Sequence, residues 1–174
     1  MDGEDPGLRK RGAWLREQLV ESRFLNLKLR VSMPADQLTK KELKEILDTI
    51  LRQIDSDPDD GPRLRAAAAP LRIEFPDLKL VVNVRPDDGG KHWLSWDFSR
   101  RSRTSARLRL SMESAVANRV FQGRENPAIA IARGRLRTSI EDAGAALRFF
   151  PAAKPLFSRY RELISEKYPH LAVD

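Results

Sequence analysis

Two short runs of strict alternation, separated by a pair of helix-boundary signals, constrain this 174-residue chain more than anything else in it. In the first run Leu108 and Leu110 alternate with Arg107 and Arg109, and in the second Leu136 sits between Arg135 and Arg137. A period of two is that of a strand with one buried face. Between the runs, Gly123 suits the left-handed residue that follows a helix, and Asn126-Pro127 suits the N-cap and first turn of the next one. Residues 106–140 therefore predict strand, helix, short helix, strand. The sheet so formed would be apolar on the side the helices cover and cationic on the other.

The flanking sequence supplies more elements of both periods. A helix is expected over residues 12–24, where Leu15, Leu19, Val20 and Phe24 share one side, and the alternation of Leu25, Leu27, Leu29 and Val31 favours a strand. Thr39 with Glu42 is a capping box, and Leu43, Ile46, Leu47, Ile50, Leu51 and Ile54 form the stripe of a helix running to about Gln53. The acidic run at 55–62 has the spacing of a calcium loop at Asp55, Asp57 and Asp59. It carries Asp60 where such a loop needs glycine and Ala66 where it needs glutamate, so it reads as a turn. Period two returns at Leu71, Ile73 and Phe75, again at Leu78, Leu80, Val82 and Val84, and, past a glycine-rich turn, over residues 91–98. A helix is expected over 142–150, stopping at Pro151, and a last one from about Pro155 to just before Pro169.

Charge narrows the class of partner. The chain carries 32 basic and 25 acidic residues, a net +7, yet residues 100–137 alone hold ten arginines against Glu113 and Glu125, which is +8. Basicity this local points to an anionic partner, such as a phosphate, a lipid head group or nucleic acid. Cysteine is absent, which excludes disulfides, thiolate metal sites and a cysteine nucleophile. The two histidines, His92 and His170, have no catalytic motif around them, and no metal-ligand spacing or phosphate loop is present. The expectation is a protein that is not an enzyme and needs no cofactor or metal. The polar, acidic start of the chain gives no signal-peptide pattern, and no apolar run approaches a membrane span, so a cytoplasmic location is expected.

Ala106, Leu108, Leu110 and Met112 form an Ala-x-Leu-x-Leu-x-Met strand. Gly123 is followed by Asn126-Pro127, then Ala130, then Gly134-Arg135-Leu136-Arg137. In these residues the chain resembles the sterol carrier protein type-2 family, the non-specific lipid-transfer proteins. Trp93 after a Gly-Gly turn fits as well. The resemblance spans about residues 43–150 and is strongest over 106–137. It departs at Arg107, where the family commonly has aspartate, and at Ile140, where it has glycine. Residues 1–36 fall outside it as an N-terminal extension, partly disordered, leaving 37–174 as the sterol-carrier-like domain.

The resemblance implies an α+β fold, a mostly antiparallel five-stranded sheet with helices packed on one face. Between them it implies an apolar tunnel for a fatty-acyl, acyl-coenzyme A, sterol or isoprenoid-type ligand. The apolar side chains expected to line such a tunnel are Trp96, Phe98, Leu110, Val116, Val120, Phe121, Ile129, Phe150, Leu156, Phe157 and Tyr160. Arg107, Arg109, Arg135 and Arg137 are the expected contacts for an anionic group or membrane surface. Two other readings use the same residues. One is a nucleic-acid-binding module working through the arginine face. The other is an accessory domain that presents a lipid substrate to a lipid-metabolising partner enzyme.

Overall fold

The computed structural model describes residues 37–68, 70–102, 105–138 and 143–173. The helix expected at 12–24 and the strand expected at 25–31 lie outside the described residues.

Helix α1 (Lys40–Asp55) starts at the capping box. The Thr39 side chain accepts the Glu42 amide (3.3 Å), and Glu42 Oε2 accepts the Thr39 amide (2.9 Å). The predicted stripe is buried in full, from Leu43 to Ile54. The acidic run then begins a helix, because Asp57 Oδ1 accepts the amides of Asp59 and Asp60 (2.9 Å each) at the start of α2 (Asp60–Ala68). Arg159 reaches back to Asp57 and Asp60, 2.9 Å from each. These carboxylates are spent on a helix start and an ion pair.

Strands β1 (Leu71–Phe75) and β2 (Leu80–Pro86) follow, joined by a tight turn in which Lys79 takes a positive φ. Leu78 belongs to that turn, not to the strand expected to hold it. Strand β3 (Leu94–Asp97) is shorter than the predicted 91–98. Asp55 Oδ1 accepts the amides of Trp93 (2.7 Å) and Leu94 (2.8 Å), tying this entry segment to the end of α1.

The central unit comes next: β4 (Leu108–Met112), α3 (Ser114–Phe121), α4 (Pro127–Ala132) and β5 (Leu136–Thr138). Asn126 caps α4 by accepting the Ala128 amide (2.8 Å), and Gly123 has the left-handed φ of +76° that its position demands. Helix α5 (Ala143–Ala152) runs one residue past Pro151, the expected stop. A proline that close to the end forfeits one helical hydrogen bond. The ladder is resumed by Ala153 N–H donating to Phe149 O (2.8 Å). Helix α6 (Lys154–Lys167) and a single 3-10 turn (Pro169–Leu171) complete the described chain.

The strand order is β3-β2-β1-β4-β5. Three pairings are antiparallel, but β1 and β4 at the centre are parallel, so the sheet is mixed and not the mostly antiparallel one expected. The connection from β3 crosses back past β2 and β1 instead of forming a hairpin. Registry sorts the side chains into faces. Leu71, Ile73 and Phe75, Leu80, Val82 and Val84, and Leu108, Leu110 and Met112 share the helix-covered face, and Leu108, Leu110 and Leu136 are each 1% exposed. On the other face Asp97, Asn83, Arg72 and Arg109 form one cross-strand row, with Glu74, Ser111 and Arg137 in the next. That face is cationic only toward β4 and β5. Toward β3, Arg72 pairs with Glu74 (2.6 Å) and Arg85 with Asp97 (2.9 Å).

The face assignment predicts opposite outcomes for neighbours. Leu110→Ala should cost about 2–5 kcal/mol in urea denaturation, and Arg109→Ala no more than about 0.5 kcal/mol. Asp97 gives a pH dependence. Burial opposes its ionisation, but the Ser99 amide, Asn83 and Arg85 outweigh burial and hold its carboxyl below the usual range. A depressed carboxyl contributes stability that is complete above its unfolded pKa of about 3.9 and lost as pH falls through the lower folded value. The stability lost between pH 6 and pH 3 should therefore be smaller in Asp97→Asn than in the parent chain.

Candidate functional site

The apolar layer between sheet and helices is the largest feature built from the predicted residues. Helix α3 turns Val116, Ala117, Val120 and Phe121 into it, and α6 turns Leu156, Tyr160, Leu163 and Ile164. The Phe121 ring stacks on Phe157 (centroids 5.7 Å apart) and meets Tyr160 edge-on (5.2 Å). Tyr160 is 0% exposed. Burial pushes its phenol well above the usual range, so the hydroxyl stays protonated and donates to Asn118 Oδ1 (2.8 Å). Asn118 in turn donates to Leu171 O (2.9 Å), Gln122 donates to the same carbonyl (2.8 Å), and Gln122 Oε1 accepts the Val173 amide (3.0 Å). A satisfied polar network thus ties the end of the chain to α3.

Of the eleven expected apolar site residues, Leu110, Val116, Val120, Phe121, Leu156 and Tyr160 belong to one buried cluster, and Trp96, Phe98, Phe150 and Phe157 pack against it half-buried. Ile129 is not brought in: it stands 48% exposed on the outside of α4. Trp96 and Phe98 adjoin the cluster from the β3 edge, where they line an open groove of about 620 Å³ shared with α1. There the Trp96 indole donates to Asp48 (2.8 Å), and Lys44 lies over the Phe98 ring (5.2 Å).

The four arginines divide. Arg107, Arg109 and Arg137 are exposed and have no ion-pair partner among the described residues. Arg135 Nη2 forms an ion pair with Glu125 Oε1 (2.8 Å), a carboxylate 7% exposed whose Oε2 accepts from Arg119 Nε (3.0 Å). Arg119, Arg135 and Arg137 open onto a cleft of about 400 Å³ between the end of β4, α3 and β5, with Met112 and Val116 also lining it. Neither Arg119 nor Glu125 stands out in the sequence. They lie six positions apart, and nothing short of the α3–α4 turn brings them together.

Both histidines pair with carboxylates of α1. His92 Nδ1 lies 2.7 Å from Asp55 and His170 Nε2 lies 3.0 Å from Glu42. His92 is 64% exposed at the groove, which makes it a surface residue with one anchored nitrogen. Among the described residues no group of three or more His, Asp or Glu could hold a metal ion, and no helix is long and apolar enough to cross a membrane.

Neither a family model nor a curated protein sequence matches the chain. Solved structures do. A double mutant of the sec-alkyl sulfatase PisA1, an enzyme from Pseudomonas sp., is similar with a TM-score of 0.50 and 15% identity over 68% of this chain and 17% of its own. A conserved hypothetical protein of Thermus thermophilus, suggested to be a sterol carrier protein, is similar with a TM-score of 0.49 and 16% identity over 74% of this chain and 90% of its own. The ubiquinone synthesis protein UbiJ-SCP2 is similar with a TM-score of 0.49 and 14% identity over 70% and 96%. At these identities the likeness is one of fold, and this chain spans only a small part of the sulfatase. The α+β architecture expected for residues 37–174, a five-stranded sheet with helices, is the one found among the described residues, with a mixed sheet.

The Tyr160 network gives a test of its own. Tyr160→Phe removes one donor, but Gln122 still donates to Asn118 Oδ1 (2.7 Å), so the expected loss is about 1 kcal/mol in urea denaturation. Asn118→Leu strands the buried Tyr160 hydroxyl, whereas the Leu171 carbonyl keeps Gln122 as a donor (2.8 Å), and it should cost roughly twice that.

Proposed function

We propose that this protein binds a lipid, holding an acyl or isoprenoid-type chain between the sheet and helices α3 and α6. The observation that supports this best is the one-sided apolar layer bounded by Phe121, Phe157 and Tyr160. Its outermost ring, Phe157, is half-buried, so the layer meets solvent across a side chain that can move without exposing a polar group. The ligand chain takes the place of rings already packed there, against Leu110, Val116, Val120, Leu156 and Phe150. The driving force is burial, roughly 0.8 kcal/mol for each methylene removed from water. No covalent chemistry is involved.

A second reading has the same site present its lipid to a partner enzyme. The likeness to a segment amounting to 17% of an alkyl sulfatase favours it, since the fold then occurs as a part of an enzyme. The nucleic-acid reading has less support, because the free arginines of the sheet's other face are confined to β4 and β5: Arg109 and Arg137 lack ion-pair partners among the described residues, while Arg72 and Arg85 beside them are neutralised by Glu74 and Asp97.

Displacement of a fluorescent fatty acid by saturated acids of rising length tests the reading. Affinity should rise by up to about fourfold per added methylene before reaching a plateau. Native mass spectrometry of the purified chain should find a co-purified acyl or isoprenoid species. A flat length series together with ligand-free protein would overturn the proposal. Retention of a lipid-metabolising enzyme on the immobilised protein would favour presentation over transport.

A further inference from the structure

We propose that the cleft between the end of β4, α3 and β5 is an anion subsite selecting lipids with a carboxylate or phosphate head; this rests on the lipid-binding reading above. Two of its cations are held in place before any ligand arrives. Glu125, 7% exposed, accepts from Arg119 Nε (3.0 Å) and stands 2.8 Å from Arg135 Nη2, so one buried carboxylate orients two guanidinium groups. Each guanidinium carries five N–H donors and spends only part of them on Glu125. The third cation, Arg137, has no partner among the described residues. With Glu113 also in the lining, three arginines face two glutamates, an excess of one positive charge.

The position of the cleft matters as much as its charge. Met112 and Val116 line it and are also members of the buried apolar cluster, so the layer under the helices reaches the surface here. A ligand with its tail in that layer and its head at this opening satisfies both surfaces at once. The start of α3, the other natural place for an anion nearby, is already taken: Asp77 accepts the Ser114 amide at 3.0 and 3.1 Å. An incoming oxyanion is left with the guanidinium groups, whose charge-assisted bonds are strong where water is partly excluded.

The inference predicts selectivity by head group at constant tail. In displacement measurements on the full chain at physiological salt, palmitate should bind about tenfold or more tightly than methyl palmitate. Arg137→Gln, which breaks no ion pair, should remove most of that difference and leave the methyl ester unchanged. Arg135→Gln should do the same if urea denaturation finds it folded, and Arg63→Gln, on α2 away from the cleft, should alter neither ligand. Equal binding of acid and ester by the parent chain, or selectivity that survives Arg137→Gln, overturns the subsite while leaving lipid binding intact. If neither lipid binds, the lipid reading fails and inorganic phosphate becomes the probe. Phosphate binding lost in Arg137→Gln then supports an anion site for a soluble ligand, and no phosphate binding overturns the subsite as well.

Discussion

The parallel pairing of β1 with β4 is the constraint on which the rest of the molecule depends. It sets Leu71 against Leu108 and Ile73 against Leu110, and in the same step Arg72 against Arg109. Because side chains alternate, a slip of one residue in β4 would drive Arg109 under the helices and leave Leu108 and Leu110 in water. A correct register gives α1, α3 and α6 one continuous apolar face to cover. Parallel strands also require a crossover, and the chain meets that need in the connection from β3 to β4, between which β2 and β1 lie in the sheet order. The antiparallel pairings on either side extend a decision made at the centre.

Much of this was legible in the residues, and unevenly so. The capping box of α1, the alternation in β1, β2 and β4, and the glycine and Asn-Pro around the α3–α4 turn are local signals, and each marks what the chain does there. Where a residue is claimed from a distance, local reading failed. Strand β3 starts late because Asp55, nearly forty residues earlier, takes the amides of Trp93 and Leu94. The acidic run became a helix start because Asp57 accepts the amides of Asp59 and Asp60 and Arg159 came from α6 to balance it. The parallel pairing had no local signature, since alternation sets which face a strand buries but not the direction of its neighbour.

The candidate site divides along the same line. Its apolar members were readable because burial follows from period, and all but Ile129 join or adjoin one cluster. Ile129 fails because α4 is only six residues long and its one buried position is Ala130. A helix that short has a single inward side, and the alanine takes it. The charged members were readable as a patch and not as a constellation. Arginines are plentiful from 100 to 137, but only the fold selects Arg119, Arg135 and Arg137 for one cleft, and only a buried Glu125 distinguishes them from solvated neighbours.

The two ends of the layer under α6 differ in how easily they can rearrange. Near Tyr160 the interior is pinned: the phenol, Asn118, Gln122 and the Leu171 carbonyl satisfy one another, and moving any one strands a buried polar group. Around Phe121 and Phe157 the contacts are ring against ring. Apolar contacts of that kind can be exchanged for others of similar volume at modest cost. The end of the layer that can yield is therefore the aromatic one, on the helix α3 whose Val116 and Arg119 also line the cleft.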